Sequence, residues 1–171
     1  MEDTQLNISF CKANEGDLDS VFQVFVSAIE EMNRNNIPQW DELYPDREIL
    51  KEDISKNQLY LGMTDGDIAC VYVVNSECDS EYENGDWQCP DASFCVIHRL
   101  CVNPKFQKRS IGKITVRHIE AELIKQGVET IRLDAFTLNP YALRMYDKLG
   151  YVKVGYVDWR TGRFWLMEKK L

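Results

Sequence analysis

Two hydrophobic periods alternate along the chain. Leu6 to Ala13 reads L-N-I-S-F-C-K-A, an apolar–polar alternation that predicts a first strand. Asn14 is a candidate helix N-cap with Asp17 three residues on. Leu18, Val21, Phe22, Phe25, Ala28, Ile29 and Met32 then recur at helical spacing, the stripe of an amphipathic helix that ends in Asn33-Arg34-Asn35-Asn36. Ile37 to Asp46 carries two prolines and the large aromatics Trp40 and Tyr44, which predicts a loop; a short helix follows, roughly Arg47 to Lys56. Gln58–Met63 and Ile68–Val74 predict strands on either side of Thr64-Asp65-Gly66-Asp67, where Asp-Gly favours a tight hairpin turn. Asn75 to Asp91 is polar and predicts a long connection.

The stretch from Val96 to Gly112 organises the remainder. Val96–Val102 is a β-branched, apolar run that Asn103-Pro104 ends, and it reads as a buried strand. Gln107-Lys108-Arg109-Ser110-Ile111-Gly112 leads into a helix whose Ile111, Thr115, Val116, Ile119 and Leu123 share one face, with Gly127 suited to its C′ position. Thr130–Phe136 predicts another strand. Joined to Val96–Val102 through a helix it makes a β-α-β unit, so the two strands run parallel with a right-handed crossover. Asn139 caps a further helix with Pro140 in its first turn and Gly150 at its end. Tyr151–Asp158 and Arg163–Lys169 predict a C-terminal hairpin across Arg160-Thr161-Gly162.

At 171 residues and 44% hydrophobic content, the chain suits one globular domain able to bury roughly 70% of its unfolded surface. A net charge of −8 argues against a general nucleic-acid binder. Apolar runs fall short of the roughly 20 residues of a membrane span. M-E-D-T-Q-L has neither the basic nor the apolar region of a signal peptide, so the expected compartment is the cytoplasm. Cys11, Cys70, Cys78, Cys89, Cys95 and Cys101 form no C-x-x-C pair; they read as reduced, several as small core residues, and no metal site is expected.

Charge changes the picture in two places. Lys105, Lys108, Arg109 and Lys113 form a basic exception around the turn after Val102. A basic turn that starts a helix offers an anion free N–H groups and the positive end of the helix dipole; the plain alternative is a solvated turn. Conversely, Glu77, Asp79, Glu81, Glu83, Asp86 and Asp91 crowd the Asn75–Asp91 connection. Its plain reading is a solvated loop that protects a hairpin, and its sharper reading is an electrostatic attractor for a cationic amine.

Gln107 to Gly112 resembles the pyrophosphate loop of the GCN5-related N-acetyltransferases, the GNAT family, whose pattern is Gln/Arg-x-x-Gly-x-Gly/Ala. Ser110 stands where that family has glycine. The block N-P-Y-A-L-R-M-Y-D-K-L-G-Y, Asn139 to Tyr151, resembles a second family signature. With the matching order of elements, the resemblance spans nearly the whole chain. It implies an α/β (α+β) fold: a mixed central sheet of about six to seven strands with a splayed parallel pair and about four helices. It further implies a single domain over residues 1–171, acetyl-CoA as co-substrate and an amine-bearing acceptor. No nucleic-acid or membrane partner is expected, and a homodimer stays open.

The resemblance also implies roles. Backbone groups around Leu100, Cys101 and Val102 hold the thioester and pantetheine arm. The amides of Gln107, Lys108, Arg109, Ser110, Ile111 and Gly112 hold the pyrophosphate, with Lys108, Arg109 and Lys113 adding charge. The Ser110 hydroxyl can bond phosphate or cap the helix. Asn139 and Tyr146 lie two helical turns apart on one side; both face the cofactor, and Tyr146 protonates the leaving thiolate. A tyrosine packed in the core is the alternative for Tyr146. His98, on the cofactor strand, is the candidate base, since an ordinary imidazole pKa near 6.5 suits proton abstraction. A structural histidine and a water relay are its alternatives. Trp40 and Tyr44 either line the acceptor pocket or cover the core. The leading function is direct acetyl transfer from acetyl-CoA to a primary amine in a ternary complex. The alternatives are a non-catalytic acyl-CoA sensor or interaction module, and a ping-pong acyltransferase using Cys95 or Cys101.

Overall fold

A computed structural model describes residues 6–171; the N-terminal stretch Met1 to Gln5, read above for a signal peptide, lies outside the described residues. In chain order the elements are β1 (Ser9–Lys12), α1 (Leu18–Arg34), α2 (Arg47–Ser55), β2 (Leu59–Thr64), β3 (Asp67–Asn75), β4 (Phe94–Val102), α3 (Ile111–Lys125), β5 (Thr130–Phe136), α4 (Pro140–Lys148), β6 (Val152–Trp159) and β7 (Gly162–Lys170). The strands form one sheet in the order β1-β2-β3-β4-β5-β7-β6. Every neighbouring pair is antiparallel except β4 and β5, which run parallel as the β-α-β reading requires.

Local chemistry sets most boundaries. Asn14 and Asp17 form a capping box, with Asn14 Oδ1 accepting from the Gly16 amide at 2.9 Å and Asp17 Oδ2 from the Asn14 amide at 2.8 Å. They cap a short 3₁₀ turn, Glu15–Asp17, so α1 starts one turn later than the cap predicts. Asp65 and Gly66, at φ 52° and 81°, make the hairpin turn between β2 and β3. Alternation along the strands then sorts the core. Val71 and Val73 pack with Val21 and Phe25 of α1 and with Leu50 and Ile54 of α2. Tyr72 lies on the other face among residues of α3 and α4, with Ile131 and Leu133 of β5. One face therefore carries α1 and α2, and the other α3 and α4.

Two irregularities in the middle of the sheet matter most. The β4–β5 ladder stops early: it runs from Phe94↔Thr130 to Ile97↔Leu133 and no further. Beyond it β4 continues paired only with β3, and β5 only with β7. The two strands thus splay apart. The second irregularity is a bulge in β4: Val71 faces Cys101 while Val73 faces His98, so three steps along β4 match two along β3. Arg99 takes up the extra residue at φ 50°. The bulge turns both His98 and Arg99 toward the α1/α2 face, where His98 meets Asn75 and Arg99 meets Asp53 of α2.

The Asn75–Asp91 connection is more ordered than its polarity predicts. A 3₁₀ turn at Ser80–Asn84 carries Tyr82 into the core with Ile37, Val96, Phe136 and Leu166. One buried aromatic in an acidic segment is enough to anchor it.

Candidate active site

The splay leaves the β5-facing backbone edge of His98–Val102 without a ladder partner. Leu100, Cys101 and Val102, the residues read as thioester contacts, lie on that edge. Past Val102, Asn103 turns the chain: its Oδ1 accepts from the Lys105 amide at 3.1 Å and its Nδ2 donates to the Ile68 carbonyl at 2.8 Å. Gln107 to Gly112 follows. Lys108 and Ser110 both hold positive φ, 63° and 59°. That is the left-handed region glycine enters without penalty, which explains physically why a glycine suits position 110. Ser110 occupies the N-cap position of α3 but makes no side-chain cap bond. The first amides of α3 have no intrahelical acceptor, so the turn and the helix end form an anion cradle. Gly112 is glycine for a different reason: an added Cβ would lie 2.9 Å from Met145 Sδ and 3.7 Å from Val102 Cγ2. A side chain there would have to displace the end of the Met145 side chain. Cradle and unpaired edge together fit a nucleotide-linked acyl thioester.

Groups able to move protons lie on both strands of the splay and on α4. Tyr146 is buried; desolvation, reinforced by the Asp134 carboxylate, raises its phenol well above the ordinary range, so it stays protonated. Asp134 lies on β5, one residue past the last β4–β5 rung, and accepts from the Tyr82 hydroxyl at 2.7 Å. Its carboxyl is pushed up to about 6, by burial first; the Tyr82 hydrogen bond opposes this, Asp79 adds to it and Arg99 opposes it. His98 Nε2 lies 2.8 Å from Asn75 Oδ1 and 3.0 Å from the Glu77 carbonyl. A carbonyl cannot donate, so Nε2 carries the proton and Nδ1 the lone pair. Burial, then the nearby Arg99 charge, lowers His98 to about 4, and the ring is neutral at pH 7.

Arg99 ties β4 to α2 and to the loop before it. Its Nε and Nη2 bind Asp53 bidentately at 2.9 and 2.6 Å, and its Nη1 donates to the Tyr44 hydroxyl at 2.9 Å. Tyr44 thus turns toward Arg99 and the β4 bulge. Trp40 instead packs in the α1/α2 core, with its ring centroid 5.4 Å from that of Phe25. The loop bearing both is fixed at two further points. Arg160 grips Asp41 at 2.6 and 2.8 Å, and Asn139 Nδ2 donates to Gln39 Oε1 at 3.0 Å. Asn139 Oδ1 meanwhile caps α4 through the Ala142 amide at 3.1 Å. Both polar atoms of Asn139 are therefore engaged within the protein.

A sequence model of the acetyltransferase (GNAT) family matches residues 26–151. The chain belongs to the GNAT family. The [ribosomal protein bS18]-alanine N-acetyltransferase of Salmonella typhimurium is 33% identical over 54 residues, which are 32% of this chain and only 36% of that relative. An acetyltransferase of the GNAT family from Streptococcus agalactiae superposes with a TM-score of 0.85 at 20% identity, covering 98% of this chain and 99% of that one. The PaiA N-acetyltransferase of Thermoplasma acidophilum, solved in complex with coenzyme A, superposes at 0.71 with 19% identity, covering 97% and 100%. At these identities the two structures speak for the GNAT fold: a seven-stranded mixed sheet with one splayed parallel pair and four helices.

Within this GNAT site, sequence reasoning missed Asp134, Arg99 and Tyr82. Asp134 is the one acid in T-I-R-L-D-A-F, between Leu133 and Ala135-Phe136, and an acid inside an otherwise buried strand is the signal that was available. Arg99 and Tyr82 left no such trace, because a bulge and a folded-over connection bring them in.

Proposed function

We propose that this GNAT protein transfers an acetyl group from acetyl-CoA to a primary amine by direct attack in a ternary complex. It acts as one domain, in the cytoplasm, where its six free cysteines stay reduced. The observation that carries this reading is the splay, with an unpaired acceptor-ready edge on β4 and two proton-handling groups, Tyr146 and Asp134, beside it. When bound, acetyl-CoA supplies an acyl thioester whose leaving group is a thiolate. The edge at Leu100–Val102 orients it, and the cradle at Gln107–Gly112, with Lys108, Arg109 and Lys113, holds its phosphates. Asp134 takes one proton from the attacking amine as the new C–N bond forms. Tyr146 gives one proton to sulfur as the C–S bond breaks. His98, through Nδ1, is the other candidate base, and the pH at which each group ionises separates the two. Burial raises the thiols of Cys95 and Cys101, which disfavours the thiolate a ping-pong route requires.

Three results test the reading. Acetyl-CoA at about a hundredfold over its Kd should raise Tm by about 5–10 °C, and Gly112→Glu should abolish the shift by crowding the cradle and repelling phosphate. A screen of primary amines should yield an acetylated product. It includes alanine-bearing peptides, because the Salmonella relative is named for the alanine of a ribosomal protein. Tyr146→Phe should then lower kcat about 10- to 1,000-fold with acetyl-CoA affinity nearly unchanged. Full kcat in that variant, with chemistry limiting, would remove Tyr146 from the mechanism. Tight acetyl-CoA binding with no product from any amine would replace the enzyme by an acyl-CoA sensor.

A further inference from the structure

The connection between β3 and β4 crosses the α1/α2 face of the sheet as a strap, and it is fastened at its far end. Gln88 and Cys89 donate their amides to the two oxygens of Glu168, at 2.7 and 3.4 Å. The Asp86 amide donates to the Val154 carbonyl at 2.7 Å. Gly155 lets the strap lie this close: an added Cβ would sit 2.9 Å from the Asn84 carbonyl oxygen.

Beneath the strap is Arg132 of β5. It is 7% exposed, and its Nε and Nη2 have no hydrogen-bond partner. Its guanidinium carbon lies 4.4 Å from the centre of the Trp87 ring and 4.1 Å from that of Phe94. Glu168 stands opposite it in the β5–β7 ladder, yet gives its oxygens to the strap. A buried guanidinium short of hydrogen bonds is costly. The two ring faces offset part of that cost, and they do so only while the strap holds Trp87 in place. The cation and the strap therefore stabilise one another. Trp87 passes the constraint on: its Nε1 donates to the Tyr82 carbonyl at 2.8 Å and its ring stacks on Tyr82, whose hydroxyl binds Asp134.

We propose that Arg132 is a positioning residue, clasping Trp87 of the strap so that Tyr82 is held on Asp134. The inference rests on the acetyltransferase reading for its kinetic consequence but not for the clasp itself. Asp134 is faced by Tyr82 and Asp79 from the strap, Arg99 from β4, Tyr146 from α4 and Tyr44 from the loop before α2. Of these, Tyr82 supplies the hydrogen bond that favours the ionised carboxylate, so losing it raises the Asp134 midpoint.

The test is a carboxyl-carbon NMR titration of Asp134 in the wild type, Tyr82→Phe, Arg132→Met and Arg132→Lys, with the pH profile of kcat/KM measured beside it. Tyr82→Phe and Arg132→Met should both move the midpoint upward by about 0.5–1 pH unit, and Arg132→Lys, which keeps the cation, should move it less. The acidic limb of kcat/KM should follow, with acetyl-CoA affinity within about twofold of wild type. If Arg132→Met does not fold, Trp87→Leu removes one face of the clasp and carries the same expectation. An unmoved midpoint in the clasp variants overturns the proposal. A midpoint that moves while the kinetic limb stays put supports the clasp and overturns Asp134 as the base. A wild type that acetylates no amine overturns the enzyme reading and leaves the titration to decide the clasp.

Discussion

Asp134→Asn should lower kcat/KM by about 10²- to 10⁴-fold, the usual span for a general base, while acetyl-CoA still binds. The residue is a carboxylate that lies just past the splay, hydrogen-bonded to Tyr82 and close enough to raise the Tyr146 phenol. The pH profile makes the assignment specific. The base must be ionised, so in the wild type kcat/KM should fall as pH drops below about 6, the Asp134 value. That limb should vanish in the variant, whereas the limb set by the acceptor amine should remain in both. If His98 were the base, the acid limb would lie near 4 instead and would survive Asp134→Asn. Stability should move the opposite way to activity. The folded-state value of Asp134 is raised from 3.8 to about 6, so the folded chain binds the extra proton between them. The stability Asp134 contributes is full below 3.8 and lost as pH rises through about 6. At pH 7 the asparagine variant should therefore melt no lower than wild type, which separates lost chemistry from lost fold. A variant that is inactive because it unfolds at pH 7 would sink the argument.

Asp53→Ala should have the largest effect on stability, about 3–5 kcal/mol, or roughly 6–20 °C in Tm for a chain of this size. The Arg99 and Asp53 side chains are only 10% and 7% exposed, and their contact is bidentate. Removing the carboxylate strands a buried guanidinium with only Tyr44 as partner. It also releases the residue that holds the β4 bulge at positive φ. The double replacement of Asp53 by Leu and Arg99 by Met should recover much of the loss, because both desolvation penalties disappear together. Thermal melts of these two variants beside the wild type measure this directly. A fall of less than about 2 °C for Asp53→Ala would show that the pair is not the clamp between α2 and β4.

What the sequence by itself determined is local. The bounds of β5 are those read from T-I-R-L-D-A-F. The end of α3 follows from Gly127, which adopts φ 77°, and the hairpin after β2 follows from Asp65-Gly66. In each case the deciding interaction lies within a few residues: a side-chain period, a cap or a left-handed turn. The anion cradle was legible for the same reason, since it is built from consecutive residues at one helix end. Only the tertiary structure brought together the groups proposed to move protons. The bulge at Arg99 falls inside a run that reads as plain strand, and it exists because β3 and α2 hold it there. Trp40 went to the core and Tyr44 to a hydrogen bond with Arg99, though both sit in one loop with similar chemistry. Tyr82 reaches Asp134 across 52 residues of chain, and that contact depends on Trp87 meeting Arg132 and on Glu168 meeting the strap. A carboxylate's ionisation depends on what surrounds it in space, and those surroundings came from four separate elements that no local pattern connects.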